Sequence, residues 1–394
     1  MKRYFFTVLA LSLLHTSTSA QKPNVKKVFK LAAEQTEYML KQVDEAKHHS
    51  GNPALVSPRT TENGKLRLVA SKDWTSGFFP GVLWFLYEYN HQQEWMKEAK
   101  KFSAPIEKEK LNGTTHDMGF KVYCSIGTGY RILKDAHYKE VILESAKKLA
   151  TRFNPKTGVI LSWDHSRDKW VNPVIIDNMM NLELLFEATK LGGDSTYYRI
   201  AVSHANTTMK NHFRPDYSSY HVIDYDPQTG VVLKKNTHQG YSHESAWSRG
   251  QGWALYGYTM CYRFTKDPVY LRQAENIAAF ILNHPNMPKD LVPYWDFNAP
   301  NIPNEPRDVS AAAVIASALY ELSEYSDQKK VYLEKANLMM NSMANKYTAP
   351  VGTNGGFILI GSTGSKPSNS EVDVPLSYAD YYYMEALHRV NQLK

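Results

Sequence analysis

Two acidic junctions hold the residues best suited to chemistry. Residues 114–120, TTHDMGF, set Asp117 beside the imidazole of His116 at the mouth of an apolar helical run, and VIIDNMMN sets Asp177 at the start of another. A carboxyl group among aromatic and apolar neighbours is pushed toward its neutral form, the state a general acid needs near neutral pH. An Asp at such a position also serves as an ordinary helix cap, and helix N-termini favour negative charge in any case. Spacing alone leaves both jobs open. Recurrence adds weight: related junctions stand at Asp73-Trp74, at residues 245–253 and at Asp308. A chain that brings Asp, His, Trp, Arg and Gln to one helix start after another is expected to assemble one polar cup with aromatic walls.

A third cluster is SRGQGW, residues 248–253. Arg249 carries a planar fork that matches a carboxylate, Gln251 an amide, and Trp253 a flat face for a sugar ring. Gly250 and Gly252 let backbones approach closely. The competing reading is helix packing around a structural Arg–Asp pair. THQG at 237–240, His221 and Trp74 add hydrogen-bonding and stacking candidates, although one His among 14 means little alone. No CxxC or HExxH spacing points to a metal. Cys124 and Cys261 fall inside apolar helical runs, the setting of buried free thiols, although an exported chain could also pair them.

The composition, 43% hydrophobic and 22% charged over 394 residues, is that of a soluble globular protein. The 26 Tyr and 8 Trp suit sugar-stacking faces and bulky core positions alike. Residues 1–20 read as a secretory signal: Lys2 and Arg3, then an apolar stretch from Phe5 to Leu14, then small residues up to Ala20. That stretch is too short to span a bilayer, no later run is long enough, and no Cys follows for lipidation, so no membrane anchor is expected. Losing Lys2 and Arg3 takes two charges from a formal +7 and leaves +5. So mild an excess suits polyanionic substrates, while the absence of dense Lys/Arg clusters argues against nucleic acid.

Apolar periodicity predicts about twelve helices that alternate between amphipathic and all-round apolar types. Amphipathic runs fall at 25–48, 94–111, 138–153, 196–212, 268–283 and 329–347. Apolar ones fall at 81–90, 116–133, 177–191, 246–265, 310–325 and 377–391. Buried helices wrapped by amphipathic ones describe an all-α (α/α)6 barrel. The inner starts, near 73, 117, 177, 246, 308 and 376, lie roughly 45 to 70 residues apart, the loose period of helical hairpins with variable loops. No Pro/Gly/Ser linker interrupts the alternation, so residues 21–394 are expected to form a single domain. Residues 51–72 read as a polar loop. Strand-like patches at 159–163 with 170–171, and at 220–224 with 231–235 around Asp226-Pro-Gln-Thr-Gly230, predict rim hairpins.

The motifs DWTSGFFPG, THDMGF, IIDNMMNLELL, THQGYSHESAWSRGQGWALYG and EVDVPLSYADYYYMEAL resemble those of the unsaturated glucuronyl hydrolases, glycoside hydrolase family 88, over nearly the whole mature chain. The resemblance implies an (α/α)6 barrel in glycosaminoglycan degradation, acting on oligosaccharides from chondroitin, hyaluronan or heparin. It implies a 4,5-unsaturated uronic acid at their non-reducing end, as polysaccharide lyases leave it. It also implies no metal and no organic cofactor. By the motif match Asp177 is the proton donor to C4 and then the base to water, and Asp117 is the second essential acid. His116, Trp74 and Trp253 match ring-contacting positions; His221, Gln239 and Arg249 match polar ones, with Arg249 expected at the substrate carboxylate or its surroundings. In residues 361–373, GSTGSKPSNSEVD, Ser362, Ser365 and Lys366 offer sulfate-reading chemistry, although Lys directly following Ser365 departs from the family spacing, and a flexible Ser/Gly rim loop is the alternative. Two other readings remain: an unsaturated rhamnogalacturonyl hydrolase acting on pectin fragments, and a carbohydrate-binding protein on a decayed scaffold, against which the two intact acids argue. With its signal peptide, the protein is expected in the periplasm.

Overall fold

The computed structural model describes residues 21–393, so the signal expected at 1–20 lies outside the described residues. Among those described, six helices form an outer layer: α1 (Val25–Ser50), α3 (Gln93–Ser103), α5 (Ala136–Ala150), α7 (Ser195–His212), α9 (Pro268–Asn283) and α11 (Lys329–Lys346). Six lie inside: α2 (Phe78–Asn90), α4 (Thr128–Leu133), α6 (Asn178–Lys190), α8 (Ser248–Thr265), α10 (Val309–Leu322) and α12 (Ser377–Gln392). Neighbouring inner helices pack together in chain order, the second of them meeting α6 through the Gly119–Gly127 stretch that leads into α4, and α12 returns to α2, which closes the (α/α)6 barrel. Side-chain patterning explains the two layers. In α3, Trp95, Ala99 and Phe102 turn inward while Lys and Glu face solvent; in α10 every residue is buried. One continuous buried cluster runs from Val28 to Val390.

The helix starts separate the layers again. Outer helices α1, α5, α7 and α9 begin on Asn24, Asp135, Asp194 and Asp267, whose side-chain oxygens accept first-turn N–H groups. Of the inner helices, only α10 has such a cap, Asp308. Asp177 precedes α6 without capping it. Asp73 does not open α2 either: it closes a turn by accepting the Thr75 N–H at 2.9 Å, and the helix begins at Phe78.

The run expected as a helix over 116–133 enters α4 through a π-helical stretch, Gly119–Gly127. The cause is contact with α6. A Cβ on Gly119 would lie 2.8 Å from the Asn181 Cα, and the Asn181 Oδ1 accepts the Phe120 N–H at 3.1 Å. The 94–111 run also divides, because Pro105 falls in the first turn of a 3-10 segment, Ala104–Leu111, that follows α3.

Short strand pairs rim the inner-helix starts. Residues 51–72, expected as a loop, form a hairpin of β1 (Leu55–Glu62) and β2 (Lys65–Ala70), because Asn63 and Gly64 both adopt the positive φ that a two-residue turn requires. The expected pairing of 159–163 with 170–171 does not form. Instead β4 (Val159–Ile160) pairs with β3 (Phe153–Asn154) across a turn closed by the Gly158 N–H on the Asn154 carbonyl at 2.8 Å. The predicted pair around Asp226 is present as β6 (Val222–Tyr225) and β7 (Val232–Asn236), and β5 (Pro173–Ile175) joins it as a third strand. Within 361–373, β8 (Ser362–Ser365) pairs with β9 (Ser370–Val374), so this segment is a hairpin and not a flexible loop. Cys124 and Cys261 are buried and free.

Candidate active site

The inner-helix starts and the rim hairpins enclose a cavity of about 290 Å³. Asp177 and Asp117 both line it, as do His116, Trp74, Gln239, Arg249 and Ser365 among the residues singled out in the sequence.

Asp177 enters the cavity at the junction of β5 and α6. Its Oδ2 is buried without a hydrogen-bond partner, the situation a caught substrate or water would relieve. Burial pushes its carboxyl pKa up to about 7; Arg249 and the indole of Trp253 pull against that shift, and Asp117 adds to it. His221 is the near neighbour, its Nε2 3.6 Å from Asp177 Oδ2. The Nδ1 of His221 accepts two backbone N–H groups, from His238 and Gln239, both at 3.1 Å. That fixes the ring proton on Nε2, facing the acid. Burial, then His238 and Arg249, hold the His221 pKa well below its ordinary value, so the ring is neutral.

Asp117 is presented differently. Its Oδ2 accepts the Thr115 hydroxyl at 2.7 Å and its Oδ1 lies 3.2 Å from His116 Nε2. His116 is itself buried and kept neutral mainly by desolvation. One acid is therefore poorly solvated, with one oxygen unpartnered; the other is held in place and one-fifth exposed.

Other expectations are redirected. Arg249 is buried and both terminal nitrogens of its fork are engaged. Nη1 reaches Asp308 at 2.5 Å and the Thr363 carbonyl at 2.6 Å, and Nη2 reaches the Gly364 carbonyl at 2.6 Å. Gln239 donates to the same Gly364 carbonyl at 3.0 Å. Both side chains therefore clasp the β8–β9 hairpin to the mouth, and Arg249 reaches Asp177 only through its field. Trp253 has no exposed surface: it sits in the core against Phe120 and Tyr382, both with ring centroids 5.3 Å away, so it offers no stacking face. Ser362 is buried in β8 outside the cavity, and Lys366 lies at the hairpin tip without reaching the lining.

Several lining groups carried no sequence signal of their own. Arg59 comes from β1 and forms a buttress with Glu371 at 2.6 Å and Asp73 at 2.8 Å. Trp163 stacks on His165 at 5.0 Å and touches Trp170 and His238, each at 5.7 Å, while Tyr378 meets Trp74 at 4.9 Å. The aromatic walls are thus Trp74 with Tyr378 and Trp163 with His238. The Asn63-Gly64 turn was the available signal for Arg59; for the others, residues distant in sequence had to meet. Among the described residues no group of three or more His, Cys, Asp or Glu side chains is arranged to hold a metal ion, and no helix is long and apolar enough to cross a membrane.

This arrangement can deliver a proton from one carboxyl and hold sugar hydroxyls with the other. Comparisons with known proteins identify the family. The sequence profile of Glycosyl Hydrolase Family 88 matches residues 33–393. The chain is 54% identical over 327 residues to an unsaturated glucuronyl hydrolase of Formosa agariphila, covering 82% of each chain. It is 35% identical over 341 residues to an unsaturated chondroitin disaccharide hydrolase of Streptococcus pneumoniae, covering 84% of this chain and 85% of that one. Its fold matches the crystal structure of an unsaturated glucuronyl hydrolase specific for heparin with a TM-score of 0.88 at 46% identity, over 93% of this chain and 97% of the other. It matches the unsaturated glucuronyl hydrolase of Streptococcus agalactiae with a TM-score of 0.85 at 29% identity, over 99% and 98% of the two chains. The chain belongs to glycosyl hydrolase family 88.

Proposed function

We propose that this protein removes the 4,5-unsaturated uronic acid from the non-reducing end of lyase-generated glycosaminoglycan oligosaccharides by hydrating the C4=C5 bond. The observation that carries the reading is the state of Asp177: a buried carboxyl raised to about 7, with one oxygen unpartnered at a cavity wall and a neutral N–H aimed at it. A group poised there can both give and take a proton near neutral pH.

The protonated Asp177 gives its proton to C4 of the vinyl ether. The alkene electrons form the C4–H bond, and positive charge develops at C5, shared by the ring oxygen. The Asp177 carboxylate then takes a proton from water as its oxygen bonds to C5, which returns the acid to its starting state. The resulting hemiketal opens at the C5–ring oxygen bond, and the hemiacetal left at C1 collapses to an aldehyde and releases the neighbouring sugar's hydroxyl. His221 Nε2–H steadies Asp177 while it is ionised. Asp117, held by Thr115 and His116, accepts hydroxyls of the unsaturated ring, and Trp74 and Trp163 flank that ring. We assign Arg249 and Gln239 to positioning the β8–β9 wall.

Loss of the conjugated acid's ultraviolet absorbance tests the assignment on unsaturated disaccharides from chondroitin, hyaluronan, heparin and rhamnogalacturonan. The expected result is decay with the first three classes; decay with rhamnogalacturonan fragments alone would replace glucuronyl with rhamnogalacturonyl specificity. We further propose export to the periplasm, supported by the charge and apolar pattern of residues 1–20, with residues 21–394 acting as one catalytic domain. Cell fractionation with N-terminal sequencing checks export: recovery of the chain in the cytoplasm with residues 1–20 attached would refute it.

A further inference from the structure

The sequence carries 46 Lys and Arg against 39 Asp and Glu, and the structure shows one place where that excess is left uncompensated beside the cavity. Inside the cavity the cations are neutralised: Arg59 by Glu371 and Asp73, Arg249 by Asp308. Next to it lies a groove of about 530 Å³ with no acidic residue in its lining. Lys169, Lys234 and His243 supply its charge and polarity, the largely buried Trp170 lies beneath it, and Asn236 adds a further polar contact. The Lys234 ammonium is held there by the Lys169 carbonyl at 2.9 Å, and the Lys169 ammonium lies 6.0 Å from the Trp170 ring centroid. Among the described residues neither ammonium has a carboxylate within 4.0 Å.

The groove is continuous with the active site. His238 lines both, and its ring meets Trp163 on the cavity side and Trp170 on the groove side, each at 5.7 Å. The tip of the β8–β9 hairpin, at Pro367 and Ser368, forms the facing wall. A chain whose unsaturated end sits at Asp177 can leave the cavity only through its rim, and this stretch of rim offers two exposed ammonium groups without a carboxylate partner.

We propose that the groove is a distal subsite for an anionic sugar of the same substrate, the third or fourth residue of a longer unsaturated oligosaccharide. It recognises a uronate carboxylate or a sulfate through Lys169 and Lys234. This assignment rests on the cavity being the unsaturated-oligosaccharide site. Partly exposed ammonium groups each contribute modestly to binding, and more to encounter with a charged ligand.

Steady-state kinetics on an unsaturated disaccharide, an unsulfated tetrasaccharide and a sulfated tetrasaccharide test the proposal, for the native protein and for the double variant K169A/K234A. The native enzyme should show a KM about five- to tenfold lower for tetrasaccharide than for disaccharide, an advantage that added salt erodes. The double variant should lose that advantage and keep the native kcat/KM on the disaccharide, which also shows that it is folded. A gain with both tetrasaccharides assigns the uronate as the bound group; a gain with the sulfated one alone assigns the sulfate. Equal KM values for all three substrates in the native enzyme, or an advantage that survives in the double variant, would overturn the subsite and leave the hydrolase assignment standing. No turnover of any of the three would instead strike at the hydrolase assignment.

Discussion

The two ends of the barrel contain similar residues put to different uses. At the closed end, around the last turns of the inner helices, a second cavity of about 310 Å³ is ringed by Arg131, Arg263, Arg389, Glu183 and Glu385. Its charges are matched. Arg263 meets Glu183 at 2.8 Å and Glu321 at 3.0 Å, Arg389 meets Glu321 at 2.6 Å, and Arg131 grips Glu88 at 2.5 Å. Burial pushes the Glu321 carboxyl up, but Arg263 and Arg389 outweigh it and hold the pKa low. At the mouth, by contrast, Asp177 has no cation in contact, and Arg249 spends its fork on Asp308 and the hairpin. Paired buried charges hold an architecture together, whereas a buried carboxyl left short of partners is available to react.

Burial alone does not mark the reactive acid. Asp380, near the start of α12, is also pushed by desolvation up to about 7. Both of its oxygens, however, accept backbone N–H groups, from Ile358 and Leu359 at 2.9 Å each, and it lies outside the catalytic cavity. It ties a loop to the barrel.

The largest effect on stability belongs to the closed end. Arg389→Met leaves Glu321 to Arg263 alone and takes the neighbouring cation from Glu385, and should cost about 3–5 kcal/mol in chemical denaturation while the folded fraction keeps native kcat/KM. Unchanged stability would remove the contrast between the two ends.

Asp177→Asn should act in the opposite direction. A carboxyl whose pKa rises on folding favours the native state only while protonated, so its contribution is present below the ordinary Asp value and is lost as pH rises through about 7. The Asn variant, which stays neutral, should therefore be more stable than the native protein by about 1–3 kcal/mol at pH values above about 7, with the gain vanishing below about pH 4. Melting curves across that range give the comparison, and a loss of stability in the alkaline arm would contradict it.

The same sign governs activity. Turnover should fall as pH rises through about 7, because the acid that protonates C4 is then ionised. Asp380→Asn should leave that limb where it is, and a displaced limb would shift the assignment toward Asp380. The smallest effect is expected at the aromatic wall: Trp163→Ala should raise KM about five- to tenfold with kcat little changed, since it removes a stacking face worth about 1 kcal/mol. A fall in kcat at constant KM would place Trp163 in the chemistry.

Much of this was legible in the chain because helix periodicity survives any loop arrangement. The alternation of α3-like and α10-like helices fixed both layers and put Asp117 and Asp177 at neighbouring inner starts. The π-helical entry to α4 was not legible, since the extra residue per turn comes from Gly119 packing on Asn181 while the apolar pattern stays helical. The β1–β2 hairpin was legible in Asn63-Gly64, although its polar strands read as a loop and concealed Arg59. Trp253 and Arg249 were legible as residues, but their contacts were not. Motif position does not reveal that Trp253 faces the core, or that Asp308 and Gly364 occupy the Arg249 fork.

The account stands or falls on the carboxyl at position 177. Calorimetric titration of Asp177→Asn with an unsaturated disaccharide, run beside the ultraviolet assay, measures binding and alkene loss in the same variant. The substrate should bind with near-native affinity while the alkene absorbance persists, turnover being reduced about a thousandfold or more. Decay within about tenfold of the native rate would show that the proton reaches C4 from another group.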